Sequence, residues 1–112
     1  MIVDINMPAQ RRTGRTTMAV GMFQEMNLHR IEAVYVVHSE NAARDMCILF
    51  GLERSRVMGL HQYLRWIDGG RPRFVVLDNF SCMDRPLRWE ALDKTRAIMA
   101  RLDGICQLVQ IP

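Results

Sequence analysis

The chain has 112 residues, 49% of them hydrophobic, and 15 Lys+Arg against 12 Asp+Glu leave a formal net charge of +3. That length is one domain, enough for a sheet with covering helices and too short for two nucleotide-binding lobes, and the hydrophobic fraction excludes a disordered chain. Its strongly apolar stretches fall far short of the roughly 20 residues that span a bilayer, and a mildly basic balance permits contact with phosphates without predicting it.

Residues 1–6 alternate well enough for a short strand, although Asp4 would be costly in a central one. Residues 8–15 carry three arginines and a glycine. From Thr16 the pattern turns helical, with Met18, Met22 and Met26 and the pair Val20 and Phe23 at spacings of three and four, ending near residues 27–29. Residues 32–37 form a β-branched and aromatic run suited to a buried parallel strand. Ser39 then caps a second helix, with Glu40 in its first turn and Gly51 as its left-handed stop.

A very short strand at 56–59 and a brief helix over 61–67 follow, closed by Asp68-Gly69-Gly70. Residues 73–78 repeat the buried-strand pattern and end in a carboxylate. Pro86 suits the first turn of a long helix whose apolar stripe is Trp89, Leu92, Ala97, Ile98 and Leu102. Asp103-Gly104 turns the chain into a last strand over 105–111.

Strand and helix therefore alternate. The expected fold is α/β, a three-layer α/β/α domain over residues 1–112 with a mainly parallel sheet of four or five strands. The strands at 1–6 and 73–78 are expected to lie adjacent at its centre. Ligands of such sheets bind beyond the carboxyl ends of the strands, which draws attention to the residues after Asn6, Val37, Met58, Asp78 and the last strand. Cys47, Cys82 and Cys106 are too scattered for a disulfide framework or a zinc site, and read as reduced core or near-core thiols. With Met1-Ile2-Val3-Asp4 lacking the features of a signal peptide, the expected location is cytoplasmic.

The segment Ala9-Gln10-Arg11-Arg12-Thr13-Gly14-Arg15-Thr16-Thr17 lies between the first strand and the first helix. Set against G-x-x-x-x-G-K-[ST], it has Ala9 for the first glycine, Gly14 for the second, Arg15 for the lysine, and keeps the hydroxyl at Thr16. Free N–H groups and the helix dipole attract a phosphate at such a point, and a threonine hydroxyl there can ligate Mg²⁺. Downstream, Phe74-Val75-Val76-Leu77-Asp78 is an apolar strand that delivers a carboxylate. On these residues the chain resembles a P-loop NTPase, in particular a reduced first RecA-like lobe of helicases and phage terminases.

Gly14-Arg15-Thr16-Thr17 looks like the end of a Walker A motif and Phe74-Val75-Val76-Leu77-Asp78 like a Walker B motif. Tyr35-Val36-Val37-His38-Ser39 resembles the strand and turn that follow the first helix in helicases. The strand at 107–110 stands where those proteins carry a coupling motif. The resemblance implies phosphate or nucleotide binding by Arg12, Thr13, Gly14, Arg15, Thr16 and Thr17, and Mg²⁺, accompanying ATP, at Thr16 and Asp78. The chain departs from the family at Ala9, at Arg15, and at Asn79, where helicase-like enzymes have a general-base glutamate, and it has no second lobe to supply an arginine finger.

The leading expectation is thus a nucleotide-binding domain of phage or mobile-element DNA metabolism, with at most weak or partner-dependent ATP hydrolysis and no residue assigned as catalytic. Two alternatives stand beside it. In one, Arg11, Arg12 and Arg15 contact nucleic-acid phosphates. In the other, a small phage protein docks on a host or replication protein without catalysis. The partners in view are a nucleotide, nucleic acid, such a protein, or a second copy of the chain, and no membrane.

Overall fold

The computed structural model describes residues 1–7 and 14–112. Among them five strands and four helices alternate: β1 (Ile2–Asn6), α1 (Arg15–Leu28), β2 (Ala33–Val37), α2 (Glu40–Phe50), β3 (Val57–Gly59), α3 (Leu60–Trp66), β4 (Phe74–Leu77), α4 (Arg85–Met99) and β5 (Cys106–Gln110). All four strand pairings are parallel, giving one sheet in the order β1-β5-β4-β2-β3. The expected α/β class, the parallel sheet and the strand count all hold.

The period-two alternation of the strands sorts the core into two layers. Val34, Val36, Val75, Leu77 and Leu108 face α3 and α4, where Tyr63, Leu64, Leu92 and Met99 meet them. Ala33, Tyr35, Val37, Phe74, Val76 and Val109 face the opposite side, covered by Ala19, Val20 and Phe23 of α1 and Ala43 of α2. β2 and β4 are buried at every position because helices cover both faces. Among the described residues no helix is long and apolar enough to cross a membrane.

One expectation about the sheet fails. β1 and β4 are not adjacent at the centre, because β5 lies between them and β1 takes the edge. The physical reason is visible in Asp4. Its exposed carboxylate accepts from Arg96 Nη2 of α4 at 3.2 Å, a position that an edge strand permits and a strand covered on both faces does not.

Smaller corrections concern which side chains face inward. On α4 the buried stripe is Ala91, Leu92, Thr95 and Met99, while Trp89 is half exposed and Ala97 faces solvent. Thr95 is tolerated inside because its hydroxyl donates to Ala91 O at 2.6 Å and shares a 2.5 Å hydrogen bond with the Tyr63 hydroxyl. Met18 on α1 points to water. Of the three free cysteines, Cys106 is buried and Cys47 half-buried, but Cys82 is exposed in a short turn rather than near the core.

Candidate functional site

The site lies where the carboxyl ends of β2 and β4 meet the start of α1. The apolar run of β4 ends at Leu77, and the backbone holds the next residue firmly. Asp78 N–H donates to Val36 O at 2.9 Å, Ile111 N–H to Leu77 O at 2.9 Å, and Phe80 N–H to Ile111 O at 2.8 Å. The Asp78 carboxylate is therefore delivered just past the strand, with only 6% of the residue exposed.

Two hydroxyls converge on one of its oxygens. Thr16 Oγ1, in the first turn of α1, donates to Asp78 Oδ2 at 3.1 Å. The Tyr35 hydroxyl donates to the same Oδ2 at 2.5 Å. Tyr35 pairs in register with Val76, so Asp78, two residues further along the same face, is within reach of its long side chain. Burial, then the neighbouring Asp78 charge, push the Tyr35 phenol well above its usual range, so at neutral pH it keeps its proton and donates to the carboxylate.

The carboxylate opens into a cleft of about 380 Å³. Arg15, Thr16, His38, Asp78 and Asn79 make its polar end; Ala42, Met46, Leu49 and Phe50 of α2 make an apolar wall. That size lies within the range of small-molecule sites, and the position matches the expected one beyond the strand ends. Met58 and the Gly59 and Leu60 that follow it do not line the cleft, whereas Ile111 and Pro112 after β5 do.

The start of α1 follows from its residues. Gly14 takes φ +66°, a left-handed conformation that side chains rarely adopt, and its carbonyl accepts the first helical bond from Met18 N–H at 2.8 Å. The first turn has no acidic residue, and Gly14 supplies no side-chain cap. Thr17 stands exposed beside it.

Of the residues expected to bind phosphate, Gly14, Arg15, Thr16 and Thr17 thus gather at one helix start. Arg12 and Thr13, with Ala9 and Arg11 of the same loop, lie outside the described residues. The two residues expected to hold Mg²⁺, Thr16 and Asp78, are in direct contact. This donor set fits Mg²⁺ bound mainly through a ligand's own phosphates, which needs only one or two protein oxygens. Among the described residues no group of three His, Cys, Asp or Glu gathers into an all-protein cage.

Asn79 has a backbone reason to be asparagine. It stands at φ +59°, where Asn is well tolerated and a glutamate is strained. Tyr35 is the residue that sequence reasoning missed. Its signal was the phenolic hydroxyl inside an otherwise apolar run, since a buried tyrosine O–H needs a partner. Comparison of this chain with family models, with curated proteins and with solved structures finds no match.

Proposed function

We propose that this domain binds the phosphate chain of a nucleotide, ATP with Mg²⁺, at the start of α1, in the manner of a P-loop domain. The observation that carries the reading is the 3.1 Å contact between Thr16 Oγ1 and Asp78 Oδ2, from segments 62 residues apart, at the mouth of a cleft beyond the strand ends. A helix start without an acidic residue favours an anion through its dipole and its N–H groups. Arg15 adds a permanent positive charge with a planar fork suited to phosphate oxygens. Thr16 and Asp78 would hold Mg²⁺, which when bound supplies neutralisation of phosphate charge.

Hydrolysis by the isolated domain is slow or absent. Asn79 occupies the position next to Asp78, and an amide cannot accept a water's proton at neutral pH.

Calorimetric titration with ATP and ADP, each with and without Mg²⁺, tests the reading. The expected result is ATP binding that strengthens with Mg²⁺, and loss of that strengthening in Asp78→Asn. Absence of ATP binding, or binding indifferent to Mg²⁺, overturns it. So does turnover by the purified monomer at the usual enzyme rate of about 10 s⁻¹.

A further inference from the structure

Tyr35 is fully buried, and its ring, backbone and hydroxyl each meet a different element of the fold. It packs edge-on against Phe23 of α1, with ring centroids 5.7 Å apart and planes at 78°. Its backbone lies in register with Val57 on β3 and Val76 on β4. The hydroxyl ends on Asp78 Oδ2, the oxygen that also receives the Thr16 hydroxyl. One side chain on β2 therefore ties together the helix that carries Thr16 and the strand that carries Asp78.

The other buried tyrosine is built differently. Tyr63, on the opposite face of the sheet, meets a threonine that is itself satisfied by the α4 backbone, and no charged group takes part. Satisfying a phenol inside this core thus does not require a carboxylate. A buried carboxylate that accepts two hydroxyls on one oxygen has its rotamer fixed and its second oxygen directed by geometry rather than by chance.

We infer that Tyr35 is a positioning residue for the cation end of the cleft: by holding Asp78 Oδ2 it sets the carboxylate for a Mg²⁺ that arrives with a nucleotide. The inference rests on the proposed reading of the cleft. Partners that orient a metal's carboxylate or imidazole ligand typically matter 10–100-fold in metal affinity. Tyr35→Phe removes one oxygen and keeps the ring against Phe23, so it separates the hydroxyl from the packing.

The experiment is a double-mutant cycle on the whole chain: wild type, Tyr35→Phe, Asp78→Asn and the double variant. ATP affinity is measured by calorimetry without metal, and Mg²⁺ is then titrated into each ATP complex. Tyr35→Phe is expected to leave metal-free ATP affinity unchanged and to lower Mg²⁺ affinity about 10–100-fold. On the Asp78→Asn background it is expected to change Mg²⁺ affinity no further, because Tyr35 acts through Asp78. Unaltered Mg²⁺ affinity in Tyr35→Phe, equal losses with and without metal, or a full additional loss in the double variant overturns the inference.

Should Tyr35→Phe fail to fold, Mn²⁺ added to the wild-type ATP complex provides a second measurement. Paramagnetic broadening is expected to reach the Tyr35 ring signals well before those of Tyr63, and equal broadening of both overturns the inference. Failure of wild-type ATP binding appears separately, in the first titration, and takes down the reading of the cleft itself.

Discussion

α1 and α2 begin at the carboxyl ends of the parallel strands, cover the same face, and both border the cleft, yet their first turns are built in opposite ways. α2 is closed by its own side chains. Ser39 accepts Ala42 N–H at 3.1 Å, Glu40 lies in the first turn, and Gly51 ends the helix in a left-handed cap. Glu40 is itself engaged twice, accepting Gly59 N–H at 2.8 Å and Arg54 Nη2 at 2.7 Å. α1 begins on a glycine that offers no side chain, with Arg15, Thr16 and Thr17 where α2 has an acid. The difference teaches that one helix start carries its own acid and side-chain cap, while the other, among the described residues, has neither, which is the feature the proposed phosphate site uses.

The largest effect should come from breaking the closed start. Gly59 lets β3 approach α2 so closely that an added Cβ would lie 2.6 Å from the Glu40 carboxylate and 2.7 Å from the Ser39–Glu40 backbone. The backbone cannot step aside as a flexible side-chain tip would. Gly59→Ala should therefore cost about 3 kcal/mol of stability, the upper part of the overpacking range. Urea denaturation measures it, and a loss below about 0.5 kcal/mol, the scatter of neutral surface changes, would show that the contact is soft. ATP affinity of the folded fraction should not move.

The open start should respond in the reverse manner. Arg15→Ala is expected to weaken ATP binding by about 2 kcal/mol, the middle of the range for hydrogen bonds to charged groups. Unchanged affinity would remove α1 from the phosphate site. One step smaller, Ser39→Ala should cost about 1 kcal/mol in thermal or urea unfolding through loss of the cap on α2. It should leave ATP affinity alone, and a drop there would mean that the two helix starts act together.

How much of this was legible before the fold was seen depends on the range of the interactions involved. The α2 cap was readable in full, because Ser39, Glu40 and Gly51 act on their own helix within a few residues. The candidate site was readable in its parts, Thr16 after one loop and Asp78 after one strand, since each follows from a local pattern. Tyr35 was not, because its partner is 43 residues away, and a phenolic hydroxyl in an apolar run calls for a buried partner without saying which. The edge position of β1 was also missed, although Asp4 carried the hint. Strand order is decided by crossovers, and a five-residue strand does not encode its neighbour. Likewise Thr95 rather than Trp89 faces inward because α3 brings Tyr63 to meet it, a contact that no helical periodicity contains.

The smallest expected effect is also the sharpest, because stability and binding should move in opposite directions. Thr17→Glu places in the first turn of α1 the kind of residue that α2 already has. Thr17 is exposed, so the substitution displaces no core contact and buries no charge. A carboxylate within the first turn interacts favourably with the helix dipole, which should raise stability by about 0.5 kcal/mol at low ionic strength. The same carboxylate would face an incoming phosphate chain as a like charge and compete with it for the helix's positive end. ATP affinity should fall, and both changes should shrink as salt is added, because exposed charges are screened over about 10 Å at 0.1 M. Parallel thermal unfolding and calorimetric titration of this one variant decide the matter. A rise in stability with undiminished ATP affinity would mean that the start of α1 is merely uncapped and that the phosphate binds elsewhere.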